Sequence, residues 1–237
     1  MKNNDTGDGI SMDNAGWSFD DIKPSEFETH IKRSVPFYEE GHDLIAKTSD
    51  FFLPDDAIVY DLGTTTGSGV RKILTRHPYK NFSIIGLDHT PAMIEHASAI
   101  TADERASFHC ASVLDYDYQK SNLFISYYTL QFIHPSVRID LLKKIYESLH
   151  WGGALLLFEK VRAPDARFQD YMGQIYTEFK LENSFTSEQI INKERSLKGN
   201  LEPFSENGNM ILLKEAGFSD IMTIYKWVNF QGWLVIK

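Results

Sequence analysis

Apolar residues recur along this chain in two rhythms, and their alternation predicts the architecture. From Phe27 to Phe52 they fall at helical spacings: Phe27 and Ile31, then Leu44 and Ile45, then Phe51 and Phe52. Pro36 interrupts the series, because proline lacks a backbone donor and clashes with the preceding turn. The pattern therefore predicts two short helices jointed at Ser34–Tyr38. Compact apolar runs follow at Ala57–Leu62, Phe82–Leu87, Ala106–Cys110, Leu123–Tyr128 and Ala154–Phe158. Helical patterns at Val70–His77, Pro91–Ile100 and Val137–Leu149 separate them, with Leu141, Leu142, Ile145 and Leu149 on one face of the last. Short apolar strands alternating with helices indicate a parallel α/β sheet. Trp151-Gly152-Gly153 is expected to end the helix before the fifth strand.

Beyond that strand the rhythm changes. Asp165–Arg195 reads as long and mostly helical, with Tyr171, Ile175 and Phe179 in phase. A helix over Asn209–Ala216 stops at Gly217, and two strands, Ile221–Trp227 and Gly232–Ile236, close the chain as an antiparallel pair. The polar, glycine-rich stretch 1–16 is expected to be a mobile tail. Residues 17–237 then form one domain, with a helical cap over 17–53 and a helical insertion over 162–208.

Composition narrows the function classes. The chain has 237 residues, 42% of them hydrophobic, enough for one substantial core. A net charge of −9 argues against broad nucleic-acid binding, which needs cations to displace phosphate counterions. The longest apolar runs are too short to cross a bilayer, and the N-terminus has no apolar signal segment. A single cysteine, Cys110, excludes an internal disulfide. Eight scattered histidines form no metal-ligand cluster, so no metal is expected. Together these features fit a cytoplasmic enzyme.

The candidate chemistry lies at successive strand ends. Tyr60-Asp61-Leu62-Gly63-Thr64-Thr65-Thr66-Gly67 follows the first parallel strand and opens a helix. Gly63 lets the backbone pass close to a ligand, and Asp61 sets a carboxylate where open α/β sheets bind ligands. Asp88 ends the second strand, about 25 residues beyond Gly63, where an acid accepts both hydroxyls of an adenosine ribose. It also fits a helix cap, although Thr90 is itself a good N-cap. After the third strand, either Ser112 or Asp115 can accept from an adenine amino group. Tyr127 and Tyr128 end the fourth strand, and an aromatic ring there can pack on a sulfonium by cation–π attraction. A nicotinamide-binding domain would need a fuller glycine pattern and a pyrophosphate cradle. The order and spacing point instead to S-adenosylmethionine (SAM) on a Rossmann-like class I methyltransferase fold: a mostly parallel seven-stranded sheet with an antiparallel C-terminal strand and a helical cap.

Several segments carry a family resemblance. They include Trp17-Ser18-Phe19-Asp20, Arg33-Ser34-Val35-Pro36, Pro91-Ala92-Met93-Ile94-Glu95, Thr129-Leu130-Gln131-Phe132, Glu159-Lys160, Phe179-Lys180, Glu194-Arg195-Ser196 and Ala216-Gly217-Phe218. In this order they resemble the carboxy-S-adenosylmethionine synthases. Those enzymes resemble methyltransferases but carboxylate the methyl group of SAM, using prephenate, for later modification of a tRNA wobble uridine. The resemblance implies a homodimer. It implies that Tyr38 closes over the cofactor while Gly63, Thr64 and Thr65 lie along it. Asp88 and His89 would hold the ribose, Ser112 and Val113 flank the adenine, and Arg195 pair with the added carboxylate. A surface ion pair of Arg195 with Glu188 or Glu194 is the alternative. The family has Cys-Ser at Thr64-Thr65, Asp-Ile at Ser112-Val113 and Asn at Tyr127. With these departures, three functions are expected: first, a methyltransferase acting on a small carboxylate-bearing substrate, with Arg195, Tyr38 and Tyr127 catalytic; second, a carboxy-S-adenosylmethionine synthase; third, a non-catalytic SAM-binding partner subunit.

Overall fold

In the computed structural model, which describes residues 4–237, most of the segment expected to be a mobile tail is ordered. Strands β1 (Asp5–Gly7) and β2 (Ile10–Ser11) pair antiparallel. Asp8 and Gly9 turn the chain between them with positive φ, 57° and 84°. Ile10 and Met12 are buried in a small cluster with Trp17, Ile22, Phe27 and Met93. The polar residues are engaged as well: Gln189 Nε2 donates to the Asp5 carboxylate and Asn192 Nδ2 to the Asp5 carbonyl. A polar composition thus concealed a clasp made of two apolar anchors and directed hydrogen bonds. The part of the tail expectation that falls on residues 1–3 lies outside the described residues.

Two helices follow, α1 (Pro24–Ser34) and α2 (Tyr38–Thr48), jointed where Pro36 required. The alternating unit then runs β3 (Ala57–Leu62), α3 (Ser68–Arg76), β4 (Phe82–Asp88), α4 (Pro91–Ile100), β5 (Ala106–Cys110), β6 (Ser121–Tyr127), α5 (Pro135–Ser148) and β7 (Leu149–Lys160). The insertion supplies α6 (Ala166–Glu182) and α7 (Ser187–Ser196). Helix α8 (Glu206–Glu215) and strands β8 (Asp220–Trp227) and β9 (Phe230–Ile236) complete the chain. The seven-stranded sheet has the order β5-β4-β3-β6-β7-β9-β8. Strand β9 is antiparallel to both neighbours, so it alone opposes the sheet direction.

Two boundaries differ from expectation. Helix α5 leads directly into β7 at Leu149, so Trp151-Gly152-Gly153 belongs to a strand rather than a stop. The glycines serve an irregularity at the strand's start: the register shifts opposite Ser121–Leu123, and Gly152 has φ 77°. The expected long helical stretch also divides. Asn183 caps α6, Ser184 turns with φ 66°, and a reciprocal Thr186–Gln189 capping box starts α7.

Strand side chains alternate between two cores. Val59, Ile84, Ile125 and Leu156 pack on α2 and α3 with Ile45 and Ile73. Leu62, Leu87, Phe124 and Leu155 meet Leu141 and Ile145 of α5 on the other face. Because β3, β4, β6 and β7 run parallel, their carboxyl ends share one edge, which carries Asp61, Asp88, Tyr127 and Lys160. No helix among the described residues is long and apolar enough to cross a membrane.

Removing residues 1–12 exposes this clasp's apolar contacts. Burial of Ile10 and Met12 is worth about 1.5–3 kcal/mol each, so the thermal midpoint should fall by about 5–15 °C. Circular dichroism melting checks this; an unchanged midpoint would restore the mobile tail.

Candidate active site

A cavity of 410 Å³ opens over the carboxyl ends of the parallel strands, a size ordinary for a small-molecule site. Its floor is the loop after β3. Gly63 and Gly67 have φ 71° and 76°, and a Cβ on Gly63 would collide with the Thr129 side chain. The amides of Gly63 and Thr64 donate to the Leu87 carbonyl at 2.8 and 2.9 Å, tying this loop to β4.

Thr64, Thr65 and Thr90 hold two carboxylates there. Thr64 Oγ1 donates to Asp61 Oδ2 at 2.7 Å, and the Thr65 amide donates to Asp88 Oδ2 at 3.0 Å. Asp88 Oδ1 accepts from the Thr90 amide at 2.9 Å. Asp88 thus fixes the turn into α4, but no side chain caps that helix: Thr90 is its N-cap residue, and the Thr90 hydroxyl, expected to cap, is buried without a partner. Each Asp88 oxygen keeps acceptor capacity toward the cavity. Asp61 is buried and has no basic partner among the described residues; burial and the nearby Asp88 push its carboxyl up to about 6. An orphaned carboxylate of this kind fits a cationic ligand, since a positive group would offset its desolvation.

Other expected residues line the same cavity. His89 sits at the rim, its Nδ1 3.8 Å from Asp88. Ser112 and Val113 line the wall, whereas Asp115 does not. Tyr38, His42 and Tyr127 form a ring cluster, with centroids 5.2 Å apart for Tyr38–Tyr127 and 4.4 Å for His42–Tyr127. The Tyr127 hydroxyl donates to the Tyr38 carbonyl at 2.7 Å, and burial pushes its ionisation well up. Tyr127 is therefore a wall that fixes Tyr38, and its hydroxyl is committed rather than available as an acid or base.

The far end is basic. Lys160 at the end of β7, Lys180 on α6 and Lys193 on α7 all line the cavity. Lys160 and Lys180 lie over the Tyr176 ring at 4.4 and 4.5 Å. Lys180 also pairs with Glu194 at 3.2 Å. Burial pulls all three amines down, Lys160 to about 8, with repulsion from neighbouring lysines adding to it for Lys160 and Lys193. Arg195, the expected carboxylate partner, is exposed, does not line the cavity and pairs with neither Glu188 nor Glu194. The reason is helical phase: residues two apart on a helix point about 200° apart, so with Lys193 and Leu197 facing inward Arg195 faces out. Sequence reasoning assigned no role to the three lysines. Lys160 and Lys180 stood inside the matching segments, but lysine is usually a surface residue.

Comparison with known proteins decides the family. Residues 59–153 match the methyltransferase domain family. The carboxy-S-adenosyl-L-methionine synthase of Staphylococcus epidermidis is 36% identical over 93% of this chain and 97% of its own length. That of Helicobacter hepaticus is also 36% identical, over 93% and 94%. The chain belongs to the carboxy-S-adenosyl-L-methionine synthase family. Solved structures agree on the fold. An O-methyltransferase family protein from Burkholderia thailandensis superimposes with TM-score 0.63 at 15% identity, covering 90% of this chain and 59% of that one. Human N-acetylserotonin methyltransferase in complex with SAM gives TM-score 0.54 at 18% identity, covering 91% and 60%. As a carboxy-S-adenosyl-L-methionine synthase family member, the chain is a SAM-dependent transferase. SAM carries two cationic groups, a sulfonium and an ammonium, which is what the orphaned Asp61 lacks.

The Asp61 charge yields a signed prediction. Its folded value, about 6, exceeds the ordinary 3.8, so the folded state binds more protons between those values and stability falls as pH rises through that window. Asp61→Asn removes this burden and should raise the ligand-free melting midpoint at pH 7.5 by a few degrees, on the order of 2 kcal/mol. The same change should weaken SAM binding at least about 10-fold. In the wild type, SAM affinity should fall as pH drops below about 6, where Asp61 takes a proton. Calorimetry and melting curves on both proteins test this; a destabilised variant with unchanged affinity contradicts it.

Proposed function

We propose that the chain transfers a carboxyl group from a small acid onto SAM, as a carboxy-S-adenosylmethionine synthase. The observation that carries this reading is the polarity of the cavity. Asp61 and Asp88 stand at the ends of β3 and β4; Lys160, at the end of β7, lies two and three strands away. At about 4.8 Å per strand, that separates the acidic and basic ends by about 10–14 Å. A cationic cofactor and an anionic reactant can then sit side by side, each offset by buried charge of opposite sign. Bound SAM would supply an activated methyl group. Toward it, Asp61 would take a cationic group, Asp88 and His89 the ribose, and Ser112 and Val113 the adenine, with Gly63, Thr64 and Thr65 beneath and Tyr38 above. Lys160, Lys180 and Lys193 would hold the acid's carboxylate, and Tyr176 and Phe230 would meet its apolar body. The curated relatives' name, shared across nearly their full length, supports carboxyl transfer over the alternatives.

Methyl transfer to a small acid is the second reading. It is favoured by one feature: Arg195, which the resemblance pairs with the added carboxylate, lies outside this chain's cavity. Either reaction suits an acidic, cytoplasmic protein without direct nucleic-acid contact. We also propose a homodimer. Helix α6 buries only Lys180, leaving Phe168, Tyr171 and Ile175 on an open apolar stripe suited to a second copy.

Incubation with SAM and prephenate, followed by mass spectrometry of the nucleoside, separates the readings. The expected product is a SAM heavier by one carboxyl group. S-adenosylhomocysteine with a methylated acid would instead select methyl transfer, and no turnover would leave a binding subunit. Lys160→Met should lower turnover by about 10- to 100-fold while S-adenosylhomocysteine affinity stays constant. Binding of the acid should weaken as pH rises through about 8, where Lys160 loses its proton.

A further inference from the structure

The lysine at the cavity's edge is connected to the N-terminal hairpin by a chain of hydrogen bonds. Lys193 Nζ donates to Ser34 Oγ at 2.8 Å and to His30 Nε2. His30 Nδ1 faces Asp8 Oδ2 at 3.0 Å, so the ring donates to the carboxylate on one side and accepts from the ammonium on the other. His30 is buried, and burial with two nearby cations pulls it down to about 2, which keeps the ring neutral. Asp8 is almost fully covered and also pairs with Arg33, which is fixed by the Asn183 carbonyl at 2.8 Å. The hairpin turn is fitted to the spot: Gly7 has φ 100°, and a Cβ there would strike the Phe185 ring.

A purely structural cluster would stop at Asp8 and Arg33, which already satisfy each other. This one continues through a neutral imidazole to a buried amine that has no direct carboxylate partner among the described residues. The charged groups that act on Lys193 are Asp8 on the hairpin, Lys160 on β7 and Lys180 on α6; Arg33 on α1 acts on His30, and Glu194 on α7 lines the same cavity. Glu194 is committed to Lys180. Burial, Lys180 and Lys160 all disfavour the charged amine, and Asp8 opposes them. Of the charges that act on Lys193, the hairpin carboxylate is the one that favours the ammonium, at the end where an acid would arrive.

We propose that Asp8, acting through His30, positions Lys193, making the N-terminal hairpin a working part of the acid subsite. His30 and Asp8 are positioning residues; Lys193 is the group that meets the anion. The inference rests on reading the basic end as the acid's place, and its test separates the two claims.

Full-length protein with ¹³C-labelled lysines is titrated by NMR, as wild type and as Asp8→Asn. The expected result is a Lys193 midpoint lower by about one pH unit in the variant. Binding of phenylpyruvate, a ring-bearing keto acid, is then measured with S-adenosylhomocysteine present. It should weaken about 10-fold in Asp8→Asn at a pH between the two measured Lys193 midpoints, and much less below both midpoints, while S-adenosylhomocysteine binds unchanged. An unmoved Lys193 midpoint overturns the inference and leaves the proposed function standing. Should Asp8→Asn unfold, Lys193→Met takes its place, since it removes the amine and leaves the Asp8–Arg33 pair and the Asp5 contacts of the hairpin in place. It should flatten the same pH-dependent component of phenylpyruvate binding. A wild-type pH profile in Lys193→Met overturns the inference, and loss of phenylpyruvate binding in neither Lys193→Met nor Lys160→Met overturns the acid subsite as well.

Discussion

The organisation of this protein depends on charges of opposite sign buried at opposite ends of one cavity. A buried carboxylate without a cation, or a buried ammonium without an anion, is strongly disfavoured. Here, among the described residues, Asp61 has no cationic partner at the end of β3, and Lys160 lies over aromatic rings without an ion pair at the end of β7. In the proposed function both conditions would be relieved together when a cationic cofactor and an acid enter. The fold arranges the pairing simply: parallel strands put their carboxyl ends on one edge, and the distance across the sheet keeps the two charge sets from neutralising each other.

The elements outside the sheet serve that arrangement. The insertion brings Lys180 and Lys193, and the N-terminal hairpin holds the insertion through Asp5 and Asp8. Helices α1 and α2 bring His30 and Tyr38 from the other side. The basic end is consequently assembled from five segments, the hairpin, α1, β7, α6 and α7, none of which makes a motif alone.

This division explains what was legible in the sequence. The sheet was, because each strand's pattern is local: β3, α4 and β5 fall where periodicity placed them. The cofactor end was too, since Asp61, Gly63 and Asp88 lie within short strand–turn–helix motifs whose spacing is fixed by backbone geometry. The basic end was not, because its lysines are distant in sequence and each reads as a surface residue by itself. Arg195 faces away from this chain's own cavity by helical phase, which a linear match cannot register. The Trp151-Gly152-Gly153 stretch failed because glycines that permit an irregular strand look the same as glycines that stop a helix. Residues 4–16 were mistaken for a tail because Asp5 and Asp8, polar enough to read as solvated, take their partners from distant helices.

A crystal structure of the chain with S-adenosylhomocysteine and phenylpyruvate would test the central claim most directly. The two-ended cavity predicts the nucleoside ribose on Asp88 and the keto acid's carboxylate within hydrogen-bonding distance of at least two of Lys160, Lys180 and Lys193. A structure in which those lysines bind the cofactor's own carboxylate, or in which the keto acid lies elsewhere, would contradict it.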